Sequence, residues 1–81
     1  MNESIEVPYL ERKRQLNKKR NREIFISAAK DTFTKLGVDK SSIRQITKIT
    51  NLGSGTFYNY FRNKNSVFIV INERFVQEFS E

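Results

Sequence analysis

Residues 42–61 read SIRQITKITNLGSGTFYNYF, and the way this stretch divides decides the fold. Ser42 stands three residues before Gln45, a spacing at which each side chain can satisfy the other's backbone N–H and open a helix. Ile43, Ile46 and Ile49 then mark one apolar face, which predicts a helix over about 43–50. Asn51-Leu52-Gly53 makes a tight turn, because Asn and Gly both tolerate positive φ. Another helix follows over about 54–61. With Gly53 as its cap, Leu52 and Phe57 take the positions of a hydrophobic staple. Two short helices joined by a three- or four-residue turn containing glycine have the dimensions of a helix-turn-helix.

Upstream, Phe25, Ile26, Ala29, Phe33 and Leu36 recur at spacings of three and four, with polar residues between them. They predict a helix over about 17–36, stopped by Gly37, which enters the left-handed region without a Cβ clash. Downstream, Asn63 reads as the cap of a helix over about 64–80 that turns Val67, Phe68, Ile71, Phe75 and Phe79 inward. The run from Val67 to Ile71 has high strand propensity, but no second strand exists to pair with it. Residues 1–16 show no sustained periodicity and contain Pro8, so they read as an arm, either mobile or a helical extension. The expectation is an all-α fold: a small helical bundle with a helix-turn-helix over 17–81, a three-helix homeodomain-like head followed by the start of a fourth helix.

Charge sharpens the functional reading. The 81 residues carry a net +6, and one segment supplies the surplus. Residues 12–22 hold seven bases and no acid, while residues 1–11 carry −3 and the rest of the chain +2. Such a block is the electrostatic footprint of a polyanion-binding surface, or else a solvated tail. The chain has no cysteine and no histidine. Disulfides, thiolate metal sites and the commonest general base are therefore excluded, and with no Gly-rich phosphate loop the chain does not read as an enzyme or as a cofactor protein. It has neither a membrane-length apolar stretch nor a secretory leader, so the expected compartment is the cytoplasm.

The segment from Ser54 to Phe61 separates into two faces. Phe57 and Phe61, four apart, anchor it in the core. Ser54, Gly55, Thr56, Tyr58, Asn59 and Tyr60 cover the remainder with hydroxyls, an amide and a glycine, and without charge. An ordinary solvent face is rich in Lys and Glu, whereas a groove-reading face uses short polar groups and lets backbone approach backbone. Hydroxyls of Thr56, Tyr58 and Tyr60 suit phosphate oxygens, and Asn59 suits an adenine edge. The plainer reading makes Tyr58 and Tyr60 half-buried core aromatics.

This stretch resembles the recognition-helix signature of the tetracycline repressor (TetR/AcrR) family of bacterial transcription regulators, roughly A-G-V-S-K-G-T-L-Y-Y-H-F. Gly55, Thr56, Tyr58 and Phe61 match it, and Leu52 and Phe57 are apolar equivalents. The likeness extends from about Lys19 to Ile71, through Ser41-Ser42-Ile43-Arg44-Gln45-Ile46 and Asn63-Lys64-Asn65. Asn51 stands in place of a usual turn glycine, Gly53 in place of a serine cap and Ser54 in place of a common lysine. Asn59 and Tyr60 replace a frequent Tyr-His pair, so no operator sequence carries over.

The resemblance implies sequence-specific binding of double-stranded operator DNA, with the segment 54–61 in the major groove, by the head of a repressor. It implies contacts to bases from Ser54, Gly55 and Asn59, and to the DNA backbone from Thr56, Tyr58 and Tyr60. Ser41 or Ser42 would donate to a phosphate at the start of the second helix, Arg44 would reach a base edge or phosphate, and Lys64 would meet a phosphate. Lys18, Lys19, Arg20 and Arg22 would add phosphate or minor-groove contacts. For Arg44 and Lys64 the alternative is an ordinary solvated charge. The resemblance also implies a homodimer and a small-molecule effector, both through a C-terminal helical domain missing from a fragment this short. Part of the surface formed by Val70, Val76 and Phe79 would then be exposed or packed against another copy. The rival readings are an RNA-binding module and a protein-interaction module using the apolar face of the last helix.

Overall fold

A computed structural model describes residues 3–79, with side chains described over 8–77. Four helices follow one another: α1 (Glu3–Leu36), α2 (Ile43–Lys48), α3 (Ser54–Phe57) and α4 (Lys64–Phe79). No strand occurs among the described residues. The segment 67–71 is helical, because α4 lays Val67 into the core with Val70 and Ile71 packed at its edge.

The arm and the first expected helix are one element. α1 runs for 34 residues, about 51 Å at 1.5 Å per residue, which accounts for the longest dimension of the molecule, 53 Å. Its first half is rich in Glu, Lys, Arg, Gln and Leu, good helix formers that need no buried face. Pro8 lies within it, close enough to the start that few intrahelical bonds are missing. Side chains 8–20 are all exposed, so this half projects from the body as a stalk. The second half is buried where periodicity predicts it: Phe25 and Ala29 are fully covered, and Ile26 and Ala28 nearly so. Leu36, expected inward, is 43% exposed because the helix ends beside it. Gly37 takes φ +84° and donates its N–H to Phe33 O at 2.8 Å.

α1 packs against both α4 and α2, and α2 against α3. The centre is aromatic. Phe25 meets the edge of Phe57 at 5.3 Å between ring centres and Phe57 lies 5.5 Å from Phe61; at the margin the half-buried Phe33 meets Phe68, expected inward but 40% exposed, edge-on at 6.0 Å. Ile46 and Val67 complete the core.

Three expectations change. Helix α2 stops at Lys48, and Ile49 leaves the helical register and stands 57% exposed rather than sharing the face of Ile46. Helix α3 ends at Phe57 rather than near residue 61. Beyond it the bonding tightens, with Asn59 N–H donating to Thr56 O and Tyr60 N–H to Phe57 O, i−3 bonds suited to residues of low helix propensity, before Phe61 N–H returns to Phe57 O at 3.0 Å. On α4, Val70 is half-buried against the core while Val76 is 55% exposed. Phe75, expected inward, is 57% exposed, and the side chain of Phe79 lies outside the described residues.

Candidate nucleic-acid interface

The start of α2 is held as the spacing of Ser42 and Gln45 requires. Gln45 N–H donates to Ser42 Oγ at 3.1 Å, and Ser42 N–H donates to Gln45 Oε1 at 2.9 Å. This capping box leaves Ser42 exposed at the helix start. Ser41 is different. It is buried, and its hydroxyl donates to Gly37 O at 2.6 Å. Of the two serines expected near a phosphate, only Ser42 is accessible.

Threonines shape the turn between α2 and α3. Thr50 Oγ1 accepts from Leu52 N–H at 3.0 Å and lies 2.8 Å from Thr47 O, so one hydroxyl satisfies backbone groups on both sides of the bend. Thr47 is buried, and its hydroxyl lies 3.3 Å from that of Ser54. This bond ties the two helices together directly. Neither threonine belongs to a sequence motif that marks it as structural. Both are hydroxyl residues within seven positions of the turn, and that is the signal the sequence offers. Gly53 caps α3 with extended backbone and no side-chain bond, and the Leu52 side chain packs on the core that contains Phe57.

The face that results is polar and uncharged. Phe57 and Phe61 are buried beneath it; Ser54, Gly55 and Asn59 are exposed, and Tyr58 is 56% exposed with its ring edge-on to Phe57 at 5.8 Å. Tyr60 is half-buried with its ring 5.9 Å from Phe25, so the core-aromatic reading holds for its ring. Thr56 is half-buried. A Cβ built on Gly55 would meet nothing within 4 Å, so the free fold imposes no need for glycine there.

Exposed bases precede and follow this segment in the chain. Arg44 on α2 is exposed. Lys48 and Arg62, which are not among the residues expected from sequence, are exposed at the end of α2 and directly after Phe61. Adjacency to the turn and to the last anchor is the signal that marks them. On the stalk, Lys18 and Lys19 are exposed and Arg20 donates to Asn17 Oδ1 at 3.0 Å. Arg22 is half-buried with its guanidinium 5.4 Å from the centre of the Phe61 ring, a cation–π contact that joins α1 to the end of the segment 54–61. Glu23 meets Arg74 of α4 at 2.8 Å. That contact holds its carboxyl below the usual value, with desolvation opposing and the charges of Arg74, Arg22 and Lys19 assisting.

Lys64 departs from expectation. Its ammonium does not stand free for a phosphate but donates to three backbone carbonyls of the loop before α2: Val38 at 2.7 Å, Ser41 at 2.8 Å and Asp39 at 3.2 Å. The preceding cap is as expected, with Ser66 N–H donating to Asn63 Oδ1 at 2.9 Å.

No cluster of side chains suited to a metal ion occurs among the described residues, and no described helix is long and apolar enough to cross a membrane.

Comparison with known proteins agrees with this geometry. Residues 25–71 match the model of the bacterial regulatory proteins of the tetR family, spanning the end of α1 to the first half of α4. Two proteins of Bacillus subtilis (strain 168) are similar. The uncharacterized HTH-type transcriptional regulator YhgD is 28% identical over 60 residues, covering 74% of this chain and 31% of that protein. The uncharacterized HTH-type transcriptional regulator YvdT is 39% identical over 51 residues, covering 63% of this chain and 26% of that protein. The chain thus spans less than a third of the length of either. No solved structure matches it.

Proposed function

The chain belongs to the tetR family of bacterial regulatory proteins, whose members bind DNA to regulate transcription and are not enzymes, and on that premise we propose that it reads a specific operator by inserting residues 54–60 into the major groove. One observation carries this reading: the segment anchored by Phe57 and Phe61 presents Ser54, Gly55, Tyr58 and Asn59 outward with no charge, while the exposed Lys48 and Arg62 precede and follow it in the chain. The major groove admits a helix and displays a distinct donor and acceptor pattern for each base pair. Uncharged short groups can reach those edges, while flanking cations neutralise phosphates.

In this reading Asn59, Ser54 and Gly55 face bases. Thr56, Tyr58 and the hydroxyl end of Tyr60 face the sugar-phosphate wall. Ser42 and Arg44 meet the near strand, and Lys18, Lys19, Arg20 and Arg22 extend the contact along the flank. Binding represses transcription by occupying the operator, in the cytoplasm where the chromosome lies. The matched segment is a minor part of each relative, and we assign the homodimer contact and the small-molecule effector site to a further C-terminal portion of such a regulator.

The test is titration with duplex DNA selected from a random pool, followed by amide and side-chain NMR. Resonances of Tyr58, Asn59 and Tyr60 should shift. If each head neutralises about four phosphates, log K should fall against log[salt] with a slope near −3.6. A slope near zero, unmoved resonances at those three residues, or preference for single-stranded RNA over duplex DNA would each overturn the proposal.

A further inference from the structure

The Lys64 ammonium links two segments far apart in sequence. Lys64 opens α4 just after the recognition segment, and its acceptors Val38, Asp39 and Ser41 lie on the loop that leads into α2, 23 to 26 residues earlier. One ammonium therefore closes a ring of chain that contains all of α2, the turn and α3. An ammonium has three donors and no acceptor, and three carbonyl oxygens take them.

We propose that Lys64 is a positioning residue for DNA binding: it fixes the start of α2 against the end of the recognition segment, and so sets how α3 is presented, without touching phosphate itself. The inference rests on the DNA-binding reading above. Two features of the loop support it. First, the loop carries its own bonds, Ser41 N–H donating to Val38 O at 3.2 Å and the Ser41 hydroxyl to Gly37 O, and it turns on the positive φ of Gly37. Lys64 takes the acceptor capacity that remains. Second, swinging the ammonium out to a phosphate would strip it from all three carbonyls, of which the bonds to Val38 and Ser41 are partly buried, at the margin of a surface that has to approach a polyanion. Ser41 O would then lose the bond from Lys64 while Val38 O kept that from Ser41 N–H; buried polar groups without partners are costly, and the negative ends of those dipoles would oppose the approach.

The experiment measures duplex binding as a function of salt for the wild-type protein and for Lys64→Met, which keeps the length and removes the donors. Alongside it, hydrogen exchange of the Lys64 side-chain ammonium is followed by nitrogen-resolved NMR in the wild-type protein, free and DNA-bound. A positioning role predicts binding weaker by about tenfold at every salt concentration, or 1.4 kcal/mol, with the salt slope unchanged. It also predicts that the amides of Ser41, Ser42 and Ile43 shift in the free variant. The wild-type ammonium should exchange slowly without DNA and stay unchanged when DNA is added. A salt slope smaller by about 0.9, the value for a single phosphate neutralised, would overturn the proposal. So would a wild-type ammonium that exchanges like a free lysine, and this second readout decides the matter even where Lys64→Met fails to fold. A wild-type protein that bound no duplex would sink the DNA-binding reading itself, whereas failure of the Lys64 proposal alone leaves wild-type binding intact.

Discussion

Gly55 separates the demands of the fold from those of the ligand. Its φ is not left-handed and an added methyl would meet nothing, so Gly55→Ala should leave the free protein folded and raise its stability by about 0.5–1 kcal/mol, the usual helix gain. If the backbone at this point approaches DNA closely, the same change should weaken operator binding by about tenfold or more. Thermal melting and binding measured on one preparation check both halves, and unchanged affinity would remove Gly55 from the interface. Asn59 makes a different prediction. Asn59→Ala should cost about 1–3 kcal/mol on the preferred operator and much less on unrelated duplexes, because an amide pairs bidentately with one base only. An equal weakening on every duplex would make Asn59 a backbone contact. Both assignments are drawn from the sequence because the chemistry they rest on is local. That of Tyr60 is only partly local, since the packing of its ring on Phe25 depends on a helix 35 residues away.

Among the elements, α1 takes the helical one of the two alternatives its sequence left open for residues 1–16. Periodicity reports burial, and the stalk buries nothing over residues 8–20, so no periodic signal marks it as helix. Local propensity is the signal present, and Pro8 obscures it. At 100° per residue the bases Arg12, Lys13, Arg14, Lys18, Lys19, Arg20 and Arg22 are distributed round the helix rather than along one stripe. Phosphates on more than one side can therefore engage it. Replacing Lys18, Lys19 and Arg20 together with Gln should lower the magnitude of the salt slope by about 0.9 for each phosphate no longer neutralised, while the melting temperature moves by only a few degrees, the groups being exposed. An unchanged slope would leave the stalk out of the DNA interface. The short elements follow their sequence more closely where they depend on caps. The Ser42–Gln45 box, the left-handed Gly37 and the Asn63 cap are each settled within four residues of chain.

The whole molecule rests on a small aromatic core. About 0.05–0.15 kcal/mol per residue over 81 residues gives a margin of roughly 4–12 kcal/mol. Phe25 touches Phe57 and Tyr60 and is fully buried, so Phe25→Ala should cost about 3–5 kcal/mol, about a quarter or more of that margin, and should lower the melting temperature followed by circular dichroism by about ten degrees or more. A second device spans the molecule from α1 to α4, the Glu23–Arg74 pair. Because Glu23 titrates below its ordinary value of 4.5, its contribution is present above that pH and is lost as pH falls through the lowered folded value. With both side chains nearly half exposed, it amounts to about 1 kcal/mol at most. Glu23→Gln should therefore be slightly less stable than the wild type at neutral pH and equal to it in strong acid. A difference that persisted in strong acid would show that packing of the side chain, rather than its charge, is responsible.

The amino-acid sequence alone settled the helical class, the positions of the caps and turns, the two faces of the segment 54–61 and the excess of positive charge. Each follows from residue chemistry acting over a few neighbours, through backbone preference, capping and alternation of apolar with polar side chains. The tertiary structure decided that Ile49 points outward, that Ser41 is enclosed, that Tyr60 lends its ring to the core, and that Lys64 spends its donors on the loop before α2. None of these can be read from spacing, because each depends on which surface a distant segment brings up against the side chain, and a flexible cation takes whichever acceptors the fold places within its reach.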